Sequence, residues 1–380
     1  MGKKFASAPT TPKVSGSANS LFKRKILISS YRFHPNVGGI ETVALILAEE
    51  LTKQGYIIKV ITQALADQNH RTDFPFEVIR RPSPLQTLHL VHWCDLYLIN
   101  NSNSLRATWP LLAIDKPAII VHHGQHVPSK GLLFWQEPLK NRVLYRIQNI
   151  SVSYALAKQI DTSCTVISNP YQDELFVEKP EVQRKHELVF LGRLDHQKGL
   201  DLLLKALNLL REQALAPRLT IVGNGIEKKN LQRMTQDLGL TSQVRFVGEK
   251  TGQELVSLLN AHHIMVVPSR PFEAFGIVAL EGIACGCVVL GSAQGGLPEA
   301  IGPCGETFIS EDVQDLAKQL SFLLQDSEHL DMYRANAKEH LSHFHRNQVV
   351  SSYVAVVERV LNSVVLHKKE GAFLEKITGV

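Results

Sequence analysis

Short apolar segments occur in two successive series along the chain, and segments with helical periodicity separate them. The first series begins with KILISS at residues 25–30 and continues with YIIKVIT; between these, Ile40, Val43 and Leu47 recur at helical spacing. The pattern restarts with ELVFLGRL at residues 187–194, followed by RLTIVGNG, QVRFVGE, HIMVVPS and CVVLGS. Alternating strands and helices are typical of doubly wound domains. The sequence therefore predicts an α/β fold of two Rossmann-like domains with a cleft between them.

The length of 380 residues suits two domains, because domains usually contain about 100–200 residues. Residues 1–23 are rich in Lys, Ser, Thr and Pro and are predicted to be a disordered leader. Asn169 and Pro170 favour a turn, so we expect the amino-terminal domain at 24–170 and the carboxy-terminal domain at 171–345. Segment 346–380 is predicted to form a last helix that packs back on the amino-terminal domain.

Charge and cysteine content restrict the partners and the compartment. The formal net charge of +5 is spread along the chain, which argues against a nucleic-acid partner. No apolar run reaches the roughly 18–20 residues of a membrane-spanning helix, and the sequence has no recognisable secretory signal. The five cysteines form no CxxC pair, which favours a reducing cytoplasm.

One segment favours contact with a membrane surface. KGLLFWQEPLKNRVLYRIQ at residues 130–148 mixes apolar with basic side chains. Such a mixture suits peripheral binding to an anionic surface on the cytoplasmic face. Internal packing explains the same apolar residues equally well.

The segment PSRPFEAFGIVALEGIACG at residues 268–286 separates Glu273 from Glu281 by seven residues across a predicted strand-to-helix turn. A helix that begins near Gly276 would present its free amides and positive end to a diphosphate. A carboxylate offers two acceptors, so Glu281 can bind ribose hydroxyls and Glu273 can bind hydroxyls of a transferred sugar. Without further context, both glutamates are better explained as solvated surface charges of a helix.

This segment resembles the E-x7-E signature of the family-4 retaining glycosyltransferases, also called glycosyltransferases group 1, which have the GT-B fold. Three other segments match the family in order: Gly38 and Gly39 with the following IETVALILAEELTKQGYIIKVIT, then LGRLDHQKGLDLLLKAL, then GGLPEAIG after the strand CVVLGS. Together they span about residues 25 to 310. The resemblance implies transfer of a hexosyl group from a UDP- or GDP-sugar to a hydroxyl acceptor, with retention and without a metal or other cofactor.

The resemblance also implies roles for single residues. Arg193 and Lys198 would stabilise the departing diphosphate, and His123 would face the transferred sugar or the reaction centre. Glu273 completes the predicted catalytic set. The predicted donor-binding residues are Gly38, Gly39, Gly223, Phe275, Gly276, Ile277 and Glu281, with Gly225 beside Gly223 and the base near residues 247–250. The acceptor is predicted to be a glycan, a lipid or a small molecule, such as a lipid-linked or cell-surface glycan precursor.

Other functions are compatible with parts of this pattern. A sugar-nucleotide epimerase shares the GT-B fold, and a silent nucleotide-sugar-binding protein would keep the fold without catalysis. A Rossmann oxidoreductase is disfavoured because Lys228 stands where GxGxxG requires its third glycine. A zinc site of His122, His123 and His126 is disfavoured because a strand does not bring this spacing together.

Overall fold

A computed structural model describes residues 23–36, 38–65, 73–100, 105–124, 136–160, 162–270 and 273–378. Within these residues the strands form two separate parallel sheets, one of seven strands and one of six. Each sheet comes from one of the two series of apolar segments in the sequence.

The amino-terminal sheet contains β1 (Lys25–Ser30), β2 (Ile57–Thr62), β3 (Glu77–Arg80), β4 (Leu96–Asn100), β5 (Ala118–His122), β6 (Gln148–Ser151) and β7 (Cys164–Val166). Their spatial order is β3-β2-β1-β4-β5-β6-β7. The helices among them are α1 (Gly39–Lys53), α2 (Pro84–Trp93), α3 (Leu105–Thr108), α4 (Pro110–Ala113), α5 (Gln136–Leu144) and α6 (Tyr154–Ala157). The order reverses between β1 and β4, and ligands of open parallel sheets bind at the carboxyl ends of strands at such a point.

The carboxy-terminal sheet contains β8 (His186–Leu191), β9 (Leu219–Val222), β10 (Val244–Gly248), β11 (His262–Val267), β12 (Val288–Ser292) and β13 (Gly305–Phe308). Its order is β10-β9-β8-β11-β12-β13, so the reversal lies between β8 and β11. The helices are α7 (Leu200–Glu212), α8 (Lys228–Asp237), α9 (Gly252–Asn260), α10 (Ile277–Ala284), α11 (Leu297–Ile301), α12 (Val313–Gln325), α13 (Ser327–Ala335), α14 (Ala337–Ser342) and α15 (Arg346–Thr378), with short 3-10 helices at His196–Lys198 and Gly302–Cys304.

Burial explains why the central strands read as continuous apolar runs. Every residue of β4, β5 and β12 is buried, as expected for parallel strands with helices on both faces. One face of the amino-terminal sheet packs against α1, whose buried side chains include Val43, Leu47 and Leu51. Val43 and Leu47 belong to the helical pattern recognised in the sequence, whose first residue, Ile40, is partly buried.

The long helix α15 packs on α1 of the amino-terminal domain. Its first residue, Arg346, is buried and forms ion pairs with Asp173 at 2.9 Å, Glu174 at 3.2 Å and Glu50 at 3.7 Å. Further along, Glu358 of α15 pairs with Arg24 at 2.8 Å. The carboxy-terminal helix therefore joins the two domains. Among the described residues, no helix combines the length and hydropathy that a membrane span needs.

The sequence from about Asn149 to Ser168 predicts a helix followed by a strand. In the structure the strand β6 precedes the short helix α6, and neither β6 nor β3 is expected from the sequence. The polar residue Asn149 is buried in β6 because it donates hydrogen bonds to the carbonyl oxygens of Leu144 and Ile147 and bonds the His122 ring. A polar residue that is buried because of its tertiary partners interrupts the apolar run by which a buried strand is recognised in a sequence.

The last strand of the amino-terminal sheet ends at Val166, and the first strand of the carboxy-terminal sheet begins at His186. The predicted domain boundary at residue 170 lies in the connection between them. The predicted leader falls almost entirely outside the described residues, which begin at residue 23.

Candidate active site

Three loops of the carboxy-terminal domain follow adjacent strands and meet at one edge of the sheet. The turn that carries Lys198 follows β8, the loop that carries Glu273 follows β11, and the turn with Gly295 and Gly296 follows β12. Because β8, β11 and β12 are neighbours and parallel, these loops lie side by side. The sequence predicted the first two as site elements.

The centre of this edge is an ion pair between Lys198 and Glu273. The ammonium of Lys198 donates to Oε2 of Glu273 at 2.5 Å, and the Ser269 hydroxyl donates to the same oxygen at 3.0 Å. Burial acts to raise the pKa of Glu273, but the charge and hydrogen bond of Lys198, the Ser269 hydrogen bond and the charge of Arg193 bring it below its ordinary value. Glu273 is therefore an anion at neutral pH.

Arg193 lies on the same edge, with its side chain 66% exposed. Its guanidinium approaches the Asp195 carboxylate at 3.5 Å. Asp195 also caps the 3-10 helix of Lys198 by accepting from the Lys198 amide at 3.2 Å. The exposed guanidinium keeps donors available for a ligand.

The turn of Lys198 is fixed by Arg270, a residue that the sequence reasoning missed. The buried Arg270 guanidinium donates to both carboxylate oxygens of Asp201, at 2.6 and 2.7 Å, and to the carbonyl oxygen of His196 at 3.0 Å. The Arg270 amide also donates to the carbonyl oxygen of Gln197 at 2.6 Å. These contacts tie the two loops together beside the Lys198–Glu273 pair. The one feature of the sequence that could have indicated this role is the position of Arg270 within the segment PSRPFEAFGIVALEGIACG.

Helix α10 begins after Gly276, as the sequence predicted. Gly276 has a φ of 93°, and a Cβ there would lie 2.6 Å from Cδ1 of Leu297. Glycine is therefore required for both backbone conformation and space. The next residue, Ile277, lies against Gly39 of the amino-terminal domain, where a Cβ would meet its Cδ1 at 3.1 Å. The predicted donor-binding residues Gly39, Gly276 and Ile277 thus come together across the cleft.

Phe275 belongs to the same motif, but its side chain lies in the core. It is 2% exposed and packs on Phe344 with ring centroids 5.6 Å apart. Only the backbone of Phe275 is placed to contact a donor.

Glu281 lies one turn into α10 and is largely buried, and burial raises the pKa of its carboxyl to about 8. In the described part of the chain, no hydrogen bond or ion pair holds this carboxyl. A group that is desolvated and has no such partner is well suited to bind a ligand that supplies donors.

The turn after β12 packs against the backbone of the loop that carries Glu273. The Gly296 amide donates to the Glu273 carbonyl oxygen at 2.8 Å. A Cβ on Gly295 would lie 2.1 Å from that oxygen, and one on Gly296 would lie 2.3 Å from the Ala274 carbonyl oxygen. The two glycines of GGLPEAIG are therefore needed for close backbone approach.

His123 follows β5 in the amino-terminal domain and is buried. Its Nε2 lies 2.8 Å from Oδ1 of Asn100, and the Asn100 amide nitrogen donates to Ser30 and to the Ile40 carbonyl oxygen. Burial and the nearby His122 lower the pKa of His123 to about 3. His123 is therefore neutral, and since the Asn100 oxygen only accepts, the proton is on Nε2. Its buried Nδ1 has no hydrogen-bond partner among the described residues, so it is left as an acceptor.

Two of the remaining predicted glycines, Gly223 and Gly225, have backbone neighbours that leave no room for a Cβ. A Cβ on Gly38 would meet only the end of the Glu41 side chain, at 2.5 Å. Cβ atoms on Gly223 and Gly225 would lie 1.9 Å from the Gly192 carbonyl oxygen and 2.3 Å from that of Leu194. Gly223 and Gly225 thus allow the β8 and β9 connections to pack closely.

Lys250, predicted to lie near the base, forms an ion pair with Glu254. No group of three or more potential metal ligands occurs in the ranges that the structure describes. His126 of the alternative zinc site lies outside those ranges.

Two parallel sheets in succession, with glycine-rich loops and a helix N-terminus at their carboxyl ends, define a protein of the GT-B fold. Sucrose-phosphate synthase from Thermosynechococcus elongatus has the same fold, with a TM-score of 0.77 at 20% identity over 90% of this chain and 100% of that chain. HepE (Alr3699) from Anabaena, solved in complex with UDP and glucose, has a TM-score of 0.74 at 20% identity over 88% of this chain and 99% of that chain.

The sequence comparisons agree with this fold. Residues 172–340, in the carboxy-terminal domain, match the family model described as glycosyl transferases group 1. D-inositol 3-phosphate glycosyltransferase from Salinispora arenicola is 34% identical over 185 residues, which cover 46% of this chain and 41% of that protein. The enzyme of the same name from Mycolicibacterium smegmatis is 32% identical over 184 residues, which cover 46% of this chain and 40% of that protein. The matched part thus spans about two fifths of these curated relatives.

Proposed function

We propose that this protein transfers a hexosyl group from a UDP- or GDP-sugar to a hydroxyl acceptor with retention of configuration, and that it needs no metal. The observation that carries the proposal is the Lys198–Glu273 ion pair beside the exposed Arg193 and the N-terminus of α10. Relatives named as glycosyltransferases support the activity. The complex of HepE with UDP-glucose supports a uridine nucleotide as the donor.

The positive groups of this edge are suited to a leaving diphosphate. An ammonium has three N–H donors, and Lys198 gives one of them to Glu273, which leaves two for phosphate oxygens. Arg193 adds an exposed guanidinium, and the amides at the start of α10 add partial positive charge. Fixed donors of this kind stabilise the charge that develops on the diphosphate as the glycosidic bond breaks. They provide the stabilisation that a metal ion supplies in other enzymes.

Glu273 is suited to bind the transferred sugar as an anion. Its lowered pKa keeps it ionised, so it accepts hydrogen bonds from sugar hydroxyls and does not donate a proton. Lys198 and Ser269 both donate hydrogen bonds to Oε2 of Glu273, and these bonds make the carboxylate a poor nucleophile. Retention then follows from departure and attack on the same face of the sugar. The bond from the anomeric carbon to the diphosphate oxygen breaks, the bond to the acceptor oxygen forms, and the acceptor proton passes to the leaving phosphate.

The amino-terminal domain supplies the acceptor side. The free Nδ1 of neutral His123 is an acceptor for a sugar hydroxyl. On α5 and directly after it, the exposed residues Leu139, Arg142 and Tyr145 support peripheral contact with an anionic membrane. Segment 125–135, which includes most of the apolar residues predicted to make that contact, lies outside the described residues. The five free cysteines are consistent with a reducing cytoplasm as the compartment.

A panel of nucleotide sugars tests the proposal. We expect purified protein to bind UDP or GDP in calorimetry, and to release that nucleoside diphosphate from one UDP- or GDP-sugar when acceptors are present. Excess EDTA should leave the rate unchanged. Conversion of the donor to an epimer, or binding without transfer to any acceptor, would contradict the proposed reaction. The anomeric configuration of the product, read by NMR, tests retention.

A further inference from the structure

Residues of both domains cap the N-terminus of α6. Within the amino-terminal domain, the Ser153 hydroxyl accepts from the Leu156 amide at 3.1 Å. From the carboxy-terminal domain, the two carboxylate oxygens of Glu299 accept from the amides of Tyr154 and Ala155 at 2.9 and 2.8 Å. The first amides of a helix have no acceptor within the helix and carry partial positive charge. An anionic acceptor is therefore favourable here, and the cap is complete only when the two domains are in contact.

The same residues hold the loop that carries Glu273. The Ser153 hydroxyl donates to the Ala274 carbonyl oxygen at 2.7 Å. Gly296, at the start of the helix that carries Glu299, donates its amide to the Glu273 carbonyl oxygen. A Cβ on Gly296 would lie 2.8 Å from the Ser153 hydroxyl oxygen. The Glu273 loop is therefore enclosed between Ser153 of one domain and the turn before Glu299 of the other.

We propose that Glu299 and Ser153 form an interdomain latch, which holds the cleft closed and sets the position of the Glu273 loop. Separation of the domains would return the Tyr154 and Ala155 amides to water and remove the Ser153 contact from Ala274. Glu299 is a positioning residue, because its carboxylate is used by the α6 amides and acts on the donor only through the loop. The link to turnover rests on the proposed function; the link to domain closure does not.

The number of acceptors that a variant keeps at position 299 determines how much of the latch we expect it to retain. A carboxylate supplies two oxygen acceptors, and both are used. Glu299→Gln retains one carbonyl oxygen and replaces the other acceptor by a donor, so it should keep part of the latch. Glu299→Ala removes both acceptors. Ser153→Ala removes the contact to Ala274 and leaves the Glu299 carboxylate in place.

The first experiment measures closure without any assumption about the reaction. Hydrogen exchange at the Tyr154 and Ala155 amides, and the radius of gyration from small-angle scattering, are compared among wild type, Glu299→Gln and Glu299→Ala, each free and with UDP or GDP. We expect exchange at these amides to rise about tenfold in Glu299→Ala, by an intermediate factor in Glu299→Gln, and the radius of gyration to increase. Glu212→Ala, at an exposed position on α7, is the control and should match wild type. Unchanged exchange and an unchanged radius in Glu299→Ala would overturn the latch.

The second experiment measures the effect on turnover. In Glu299→Ala and Ser153→Ala we expect kcat to fall by about tenfold, while affinity for the nucleoside diphosphate changes by less than about threefold. Glu299→Gln should recover part of kcat. A role limited to stability would lower the melting temperature and leave kcat of the folded fraction unchanged, and that result would overturn the positioning role.

The two experiments separate the latch from the reaction. If wild type neither binds UDP or GDP nor turns over any sugar nucleotide, the proposed function fails, and the exchange and scattering data still decide whether the latch exists. If wild type is active and Glu299→Ala opens the cleft without loss of kcat, the proposed function stands and the latch does not position the loop.

Discussion

Nε2 of His123 donates a hydrogen bond to Oδ1 of Asn100 over 2.8 Å, and this contact fixes which ring nitrogen carries the proton. The Asn100 amide nitrogen is already used by Ser30 and the Ile40 carbonyl oxygen, so the side chain cannot turn over to donate to the ring. The neutral ring thus keeps its buried Nδ1 as an acceptor that has no hydrogen-bond partner among the described residues. Charge at position 100 should control this state.

We predict that Asn100→Asp shifts the acid limb of the kcat/KM profile to higher pH. A carboxylate beside Nε2 favours the imidazolium, so the His123 pKa, now about 3, rises toward neutrality. Protonated Nδ1 cannot accept a sugar hydroxyl, and activity should fall as pH drops below the new pKa. Asn149→Asp, which makes the same change beside His122, is the matched control. An identical shift in both variants would show that the effect is not specific to His123.

Lys198→Ala is expected to lower turnover by at least about tenfold without unfolding the protein. The substitution removes a cation from the leaving diphosphate and releases Glu273 from its ion pair. The same loss of the Lys198 charge should raise the pKa of Glu273, because only the Ser269 hydrogen bond and the Arg193 charge would then oppose the effect of burial. Steady-state kinetics measure the turnover, and circular dichroism shows whether the variant is folded. Lys229→Ala, an exposed lysine on α8, should keep wild-type kinetics; unchanged kinetics in Lys198→Ala as well would remove the site assignment.

The Arg270–Asp201 pair should make a large contribution to stability. The pair is bidentate and Arg270 is buried. Loss of one partner leaves the other with a single remaining counter-ion, Glu311 at 3.1 Å for Arg270 or Lys205 at 3.8 Å for Asp201, and so with much of its charge uncompensated. We expect Arg270→Gln to lower the free energy of unfolding by about 2–4 kcal/mol. Asp201→Asn and the double variant complete the cycle, with urea denaturation as the measurement. A coupling energy near zero would mean that the two side chains contribute independently.

Glu281→Gln should stabilise the protein at alkaline pH and weaken nucleotide binding. The pKa of Glu281 in the folded protein is about 8, against 4.5 for the unperturbed group, so the folded state holds a proton that the unfolded chain has lost in this interval. Stability therefore falls as pH rises from about 4.5 to about 8. Glutamine has no such titration, and at pH 8.5 its melting temperature should exceed that of wild type by at least about 2 °C.

The same variant tests the ligand role of Glu281. We expect the affinity for UDP or GDP to fall by about tenfold, as measured by calorimetry. Wild-type affinity should rise with pH through about 8 as the carboxylate forms. Weakened binding that has the same pH dependence in Glu281→Gln would assign the titration to another group. Equal affinity in both proteins would remove Glu281 from the binding site.

The sequence predicted the elements that depend on local patterns. The apolar central strands, the helical face of α1 and the start of α10 at Gly276 are set by neighbouring residues, and the structure has them where expected. The four matching motifs predicted the GT-B fold, which the structure confirms, and residues 172–340 match the group 1 family model that the motifs indicated. The predictions failed where a polar residue is buried because partners elsewhere in the chain satisfy its hydrogen bonds. In β6, Asn149 is buried beside His122.

Lys198, Glu273, Gly276 and Glu281 were identified from sequence because they lie in short segments with a recognisable spacing. The contacts of Arg270 with Asp201, of His123 with Asn100, and of Glu299 with the α6 amides join residues 69, 23 and 144 or 145 positions apart. No local pattern specifies such pairs. The sequence alone determined the predicted elements and the candidate residues for the chemistry, since backbone preference, apolar periodicity and motif spacing act over a few residues. Only the tertiary structure decided their pKa values and partners, because burial and long-range packing set the solvation of each charged group.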